Sequence, residues 1–167
     1  MQNIEIKARL RDRENVERRL AALDARRMWV RRQKDTFFAV ATGWLKIREA
    51  EGRQAEVISY RRATDEAGPR VSDFDVILVE NAPAWISLLG RALHLDKVVE
   101  KERTLWLYEH TRVHLDRVDG LGEFLELETV IEGIEVHEAE AETARVVETL
   151  GIEPGDLVPV PYRDLLA

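Results

Sequence analysis

Charged residues recur two apart along several short stretches of this chain. Lys46 and Arg48 flank Ile47, Lys101 and Arg103 flank Glu102, and Glu126 and Glu128 flank Leu127. Arg112, His114 and Asp116 form a longer series, and Asn3, Glu5 and Lys7 open the chain with another. Residues two apart on a strand share one face of a sheet, so each series would form a row of charge. Arginine makes forked contacts with phosphate oxygens. Glutamate and aspartate supply the hard oxygens that Mg²⁺ or Mn²⁺ takes. Together such rows suit a metal-complexed polyphosphate. The plain alternative is a solvated sheet face, which also alternates. Solvated faces usually mix Thr, Ser, Gln and Lys, whereas these positions are almost all fully charged.

The elements that would position these rows can be read from spacing. Helical periodicity places Val16, Leu20 and Leu23 on one face of residues 13–25. Residues 83–94 open with Pro83 and repeat Ile86, Leu89 and Leu93, and residues 137–150 carry Ala144, Val147 and Leu150 before a terminating Gly151. Period-two alternation marks strands at 3–10, 44–48 and 112–118, around Lys101 and Arg103, and after the Asp119-Gly120 turn signal. A closed barrel reconciles these features, with charged faces inward, apolar faces outward and helices covering the outside. Its interior would hold seven cations, Lys7, Lys46, Arg48, Arg61, Lys101, Arg103 and Arg112, against four anions, Glu5, Asp116, Glu126 and Glu128. So many ions are too costly to bury unless paired or met by a charged ligand. A triphosphate with a divalent metal meets that demand.

Asn3-Ile4-Glu5-Ile6-Lys7, Asp35-Thr36-Phe37-Phe38, Gly43-Trp44-Leu45-Lys46-Ile47-Arg48-Glu49 and Tyr60-Arg61 follow one another along the chain. Val98-Val99-Glu100-Lys101-Glu102-Arg103, Arg112-Val113-His114-Leu115-Asp116 and the stretch from Gly120-Leu121-Gly122 to Glu126-Leu127-Glu128 complete the series. The ordered set resembles CYTH domains, the superfamily of class IV adenylyl cyclases, thiamine triphosphatases and inorganic triphosphatases. Its Asp-Thr-Phe-Phe and Gly-Leu-Gly stretches are most similar to the class IV cyclase branch. The resemblance implies an α+β fold: a closed antiparallel eight-stranded β-barrel, the triphosphate tunnel, covered outside by three or more helices in one domain spanning 1–167. It implies that Lys7, Lys46, Arg48, Arg61, Lys101, Arg103 and Arg112 hold phosphate oxygens. Glu5, Asp116, Glu126 and Glu128 would hold one or two ions, Mg²⁺ or Mn²⁺, and Lys7, Arg103 and Glu128 would act at the reacting phosphoryl group. ATP or inorganic tripolyphosphate is the implied substrate, and a homodimer is compatible with the resemblance. The first signature glutamate is Asn3 here, an oxygen donor without charge. Cyclase, triphosphatase and non-catalytic polyphosphate or nucleotide binder therefore all remain open.

Composition narrows the classes further. The 167 residues are 45% hydrophobic and 34% charged, as expected of a globular chain. No cysteine is present, which excludes a thiolate metal site. A net charge of −7 argues against nonspecific nucleic-acid binding. With no signal peptide at the start and no apolar run of membrane-spanning length, a soluble cytoplasmic protein is expected. His114 reads either as a phosphate contact or as a hydrogen-bonded structural residue. Trp44, Trp85 and Trp106 read as packing against the helices, and Glu80 as a metal ligand or a strand end. The acidic run from Glu135 to Glu142 reads as a solvated helix face, and Gly120 with Gly122 as a hairpin rather than a phosphate loop.

Overall fold

The stretches of period-two alternation all lie in strands. The computed structural model describes residues 2–62 and 68–167. In chain order the elements are β1 (Gln2–Arg9), α1 (Arg13–Ala22), β2 (Arg26–Phe38), β3 (Trp44–Ala50), β4 (Ala55–Arg62), β5 (Arg70–Val79) and α2 (Ala82–Leu93). They continue with β6 (Leu95–Tyr108), β7 (Thr111–Val118), β8 (Gly122–Val130), α3 (Val136–Leu150), a 3₁₀ turn (Pro154–Asp156) and the short α4 (Tyr162–Leu165). The strands close in the order β1-β5-β4-β3-β2-β6-β7-β8, each neighbouring pair antiparallel. Closure leaves no free sheet edge and fixes which side chains point inward. No helix among the described residues is long and apolar enough to cross a membrane.

Local sequence sets the helix ends. The Asp12 carboxylate accepts a hydrogen bond from the Asn15 backbone N–H at 3.0 Å and caps α1. Asn81 caps α2 in the same way through Ala84, and Glu135 and Glu138 form a capping box at the start of α3. Gly151 ends α3 in the left-handed region at φ 71°, where Arg19 of α1 reaches across to the Thr149 carbonyl at 2.9 Å.

The outer faces of the strands are apolar and the helices cover them. Ile6, Leu20, Leu115, Leu125, Leu127, Val146 and Leu150 form one cluster between the barrel wall, α1 and α3. Phe38 and Ile47 form another beneath α2. Each fully buried side chain of this size contributes roughly 1.5–3 kcal/mol. Trp106 is buried in the first cluster, as expected of a packing residue, whereas Trp85 on α2 stands 40% exposed. The acidic run on α3 is not wholly a solvated face either. Glu142 is 3% exposed and accepts hydrogen bonds from the His110 backbone N–H at 2.9 Å and the Thr111 hydroxyl at 2.6 Å. It pins the helix to the turn before β7.

The tail after α3 closes one end of the barrel. Leu157 bridges to Ala8, and the Val158 N–H donates to the Lys7 carbonyl at 2.9 Å. The Tyr162 ring then packs edge-on against Phe124 at 5.0 Å, inside a cluster with Val118 and Val158. Spacing gave no sign of this segment, since Pro159-Val160-Pro161 has neither period.

Replacing Glu142 with Ala would remove the acceptor of the part-buried His110 N–H and one partner of the buried Thr111 hydroxyl, and should destabilise the protein by about 1–3 kcal/mol in urea unfolding. An unchanged midpoint would return Glu142 to the solvated face.

Candidate functional site in the barrel

The inward faces of all eight strands line one cavity of about 630 Å³. Its charged residues are held in a continuous chain of ion pairs. On the β2–β3 side, Asp35 accepts from Lys46 at 2.7 Å and from Arg48 at 2.7 and 2.8 Å. Lys101 on β6 lies 4.0 Å from Asp35 and 3.6 Å from Asp116 on β7. Arg103 grips Asp116 through two bonds of 2.7 and 2.6 Å and also donates to Glu126 on β8. Glu126 in turn lies 3.0 Å from Lys7 on β1. Five cations thus share three carboxylates across six strands. Net positive charge remains in a low-dielectric interior, a standing attraction for a polyanion.

The tail supplies the floor. The Tyr162 hydroxyl donates to Asp116 at 2.9 Å, and its ring faces the Lys7 and Lys101 ammonium groups at 4.3 and 5.0 Å. Arg70 on β5 donates to the Pro159 carbonyl at 2.7 Å, and Lys7 to the Val160 carbonyl at 3.3 Å.

These contacts shift the titration of several groups. Burial pushes the Asp35 carboxyl up, but Arg48, Lys46 and Lys101 outweigh it and hold the group well below the usual carboxylate range. Burial and the Arg48 charge lower the Lys46 ammonium to about 7 despite Asp35. Lys101 is lowered by burial and by Arg103. Burial, with Glu5 and Glu126 nearby, raises the Glu128 carboxyl against the pull of Arg103 and Arg112. His114 is held well below its ordinary value by burial and by Arg103, so the ring is neutral.

Of the residues expected at the site, Glu5, Lys7, Lys46, Arg48, Lys101, Arg103, Arg112, Glu126 and Glu128 all line the cavity. Arg112 sits toward solvent, 3.9 Å from Glu128, with 46% of its side chain exposed. Arg61 does not join them. Tyr60 pairs with Trp44 and Ile58 with Lys46, which turns Glu56, Ile58 and Tyr60 inward and Arg61 out to solvent. Gly43, at φ 68°, lets the chains approach this closely, since a Cβ there would stand 2.6 Å from the Tyr60 carbonyl oxygen. Asp116 points inward and shares one guanidinium nitrogen of Arg103 with Glu126. It is fully buried, and both its oxygens already accept from Arg103, with Tyr162 on one of them. His114 is brought within reach of Glu126 and Glu128, their ligand atoms all lying within 4.8 Å of one another. Carboxylate oxygens and a ring nitrogen gathered at this spacing form a group that could hold a divalent metal.

Several site residues were not foreseen. Asp35 belongs to the Asp-Thr-Phe-Phe stretch and shares an inward phase with Gln33 and Phe37, a signal that alternation along β2 could have given. Arg70 and Tyr162 carry no such signal, because their place depends on the tail crossing the barrel end.

Only the ammonium form of Lys46 attracts phosphate. Wild-type affinity for tripolyphosphate should therefore fall, relative to a Lys46→Arg variant that stays charged, as pH rises from about 6 to about 8.5. The loss approaches about tenfold per pH unit once Lys46 is mostly neutral. Calorimetric titration gives the ratio, and a ratio independent of pH would take Lys46 out of the binding step.

Comparison with known proteins agrees with this geometry. The PH1012 protein of Pyrococcus horikoshii is similar in structure over 99% of both chains, with 21% identity and a TM-score of 0.87. A Vibrio parahaemolyticus protein provisionally named an adenylate cyclase matches over 98% of this chain and 96% of its own, with 14% identity and a TM-score of 0.78. HpAC1 from Hippeastrum, an adenylyl cyclase by provisional name with a dominant triphosphatase activity, matches over 90% and 88%, with 16% identity and a TM-score of 0.60. No curated protein matches the sequence. The family model for the CYTH domain matches residues 1–162, so the chain belongs to the CYTH family.

Proposed function

We propose that this chain is a divalent-metal-dependent phosphoryl-transfer enzyme that draws a triphosphate into its barrel and converts ATP to cyclic AMP and pyrophosphate. The observation that carries the reading is the contrast between two walls of one cavity. One wall holds the ion-pair chain from Arg48 to Lys7, and the other, on β4 and β5, presents Ile58, Tyr60, Phe74 and Val76. A polyphosphate suits the first wall and a flat base the second. The volume, about 630 Å³, lies within the range of small-molecule sites.

Phosphoryl transfer asks a protein mainly for positioning and charge neutralisation. Lys46, Arg48, Lys101 and Arg103 would hold the phosphates extended along the barrel, exchanging part of their contact with Asp35 and Asp116 for phosphate oxygens. Glu5, Glu126 and Glu128 would hold Mg²⁺ or Mn²⁺ beside Lys7 and Arg103. When bound, the ion supplies Lewis-acid polarisation of the phosphoryl oxygens. Cyclisation joins the ribose 3′-oxygen to the α-phosphorus and releases pyrophosphate. The protein's part is to bring that oxygen within attacking distance by fixing base and phosphates on opposite walls.

Two other readings use the same site. The dominant triphosphatase activity of the Hippeastrum relative favours water as the nucleophile at the terminal phosphorus. Asn3 favours a binder without turnover, since its buried side-chain oxygen lines the cavity without a charge and without a hydrogen-bond partner among the described residues.

Product chromatography after incubation with ATP, and separately with tripolyphosphate, separates the three. Cyclic AMP with pyrophosphate is expected from ATP with Mg²⁺ or Mn²⁺, and Glu128→Ala should reduce its formation by about a hundredfold or more. Orthophosphate release would move the assignment to triphosphatase. A silent wild type beside an active Asn3→Glu variant would mark a binder.

A further inference from the structure

His114 is an inward residue of the β7 series that takes no part in the ion-pair chain from Arg48 to Lys7. The residue is 5% exposed, and its Nδ1 is buried without a hydrogen-bond partner among the described residues. Nδ1 faces the Glu128 Oε1 at 3.6 Å, too far for a hydrogen bond. Across the β7–β8 ladder it stands opposite Glu126, and one ligand atom from each of the three residues lies within 4.8 Å of the others. Ligands about 2.1 Å from a common ion stand roughly 3–4 Å apart, so a small inward movement of the carboxylates would close the site. Glu126 already meets Lys7 and Arg103, but each carboxylate oxygen keeps a second lone pair.

We propose that His114, Glu126 and Glu128 form a mixed nitrogen–oxygen metal site that selects a first-row transition divalent cation such as Mn²⁺ over Mg²⁺. The proposal rests on the metal-dependent reading above and names the class of ion for it. An imidazole nitrogen favours first-row transition ions, with Mn²⁺ the weakest binder of that series, whereas Mg²⁺ takes oxygen donors and retains its water. A site built only to take Mg²⁺ would gain nothing from a buried ring nitrogen aimed at its carboxylates. His114 would also fix the ion at the β7–β8 end of the cation chain, beside Arg103 and Lys7, where one face stays open to the cavity.

Metal titration without nucleotide is the first test. Mn²⁺ should bind the wild type roughly tenfold or more tighter than Mg²⁺, and His114→Asn should remove most of that difference while leaving Mg²⁺ affinity within about twofold. Pulsed electron paramagnetic resonance on wild-type protein with substoichiometric Mn²⁺ makes the result independent of how the variant folds. Hyperfine coupling to a directly bound nitrogen is expected, and its absence from bound Mn²⁺ would overturn the proposal, as would equal affinity for the two ions. Metal-free tripolyphosphate binding, measured on the same sample, separates this inference from the functional reading. Nitrogen coupling without tripolyphosphate binding would uphold the metal site and remove the triphosphate reading, and the opposite pair of results would do the reverse.

Discussion

Five cations share three carboxylates inside the barrel, and most of the architecture follows from keeping that imbalance where it is. Ions removed from water lose several kcal/mol each unless partners replace the lost hydration. Asp35 and Asp116 perform that replacement. Each is almost fully buried and each binds an arginine through two bonds. The partners come from different strands, so the geometry exists only when β3, β2, β6, β7, β8 and β1 are paired in that order. Closure in turn puts the apolar residues outside, where α1, α2 and α3 cover them. An acidic protein thereby keeps a basic interior.

The tail belongs to the same constraint. Without it the Asp116 end would open to solvent, and water would screen the charges that give the site its attraction. Tyr162 both donates to Asp116 and lays its ring against Lys7 and Lys101, and so stabilises an anion and two cations at once. Burial and the Asp116 charge push its hydroxyl well above the ordinary tyrosine range, so it remains a donor. A ligand in the cavity would meet successive cations along one wall and, along the other, Ile58, Tyr60, Phe74 and Val76 between Glu56 and Arg70.

Much of this was legible in the sequence where charge and apolar residues alternate strictly. Lys46 with Arg48, Lys101 with Arg103 and Glu126 with Glu128 declare their faces because Ile47 and Leu127 face the helices. Arg61 was misread because β4 reverses the rule: its inward positions include Ile58 and Tyr60, so charge did not mark the inner face. Register against β3 decided the matter, and register is a property of two strands together. Asp35 was visible in a motif but carried no charged neighbour two residues away on its own strand. Glu142 lay in an acidic run whose other members face water, and only the turn before β7 singles it out. Tyr162 depended on the path of the tail, which no local pattern encodes.

The account stands on the claim that the uncompensated positive charge is there to receive a polyanion. Calorimetric titration of inorganic tripolyphosphate into metal-free protein, at low and high salt, tests it most directly. The account predicts one ligand per chain, an affinity that falls steeply with salt, and loss of binding in Arg103→Ala protein that remains folded. Heats no larger than dilution for the folded wild type at low salt would contradict it.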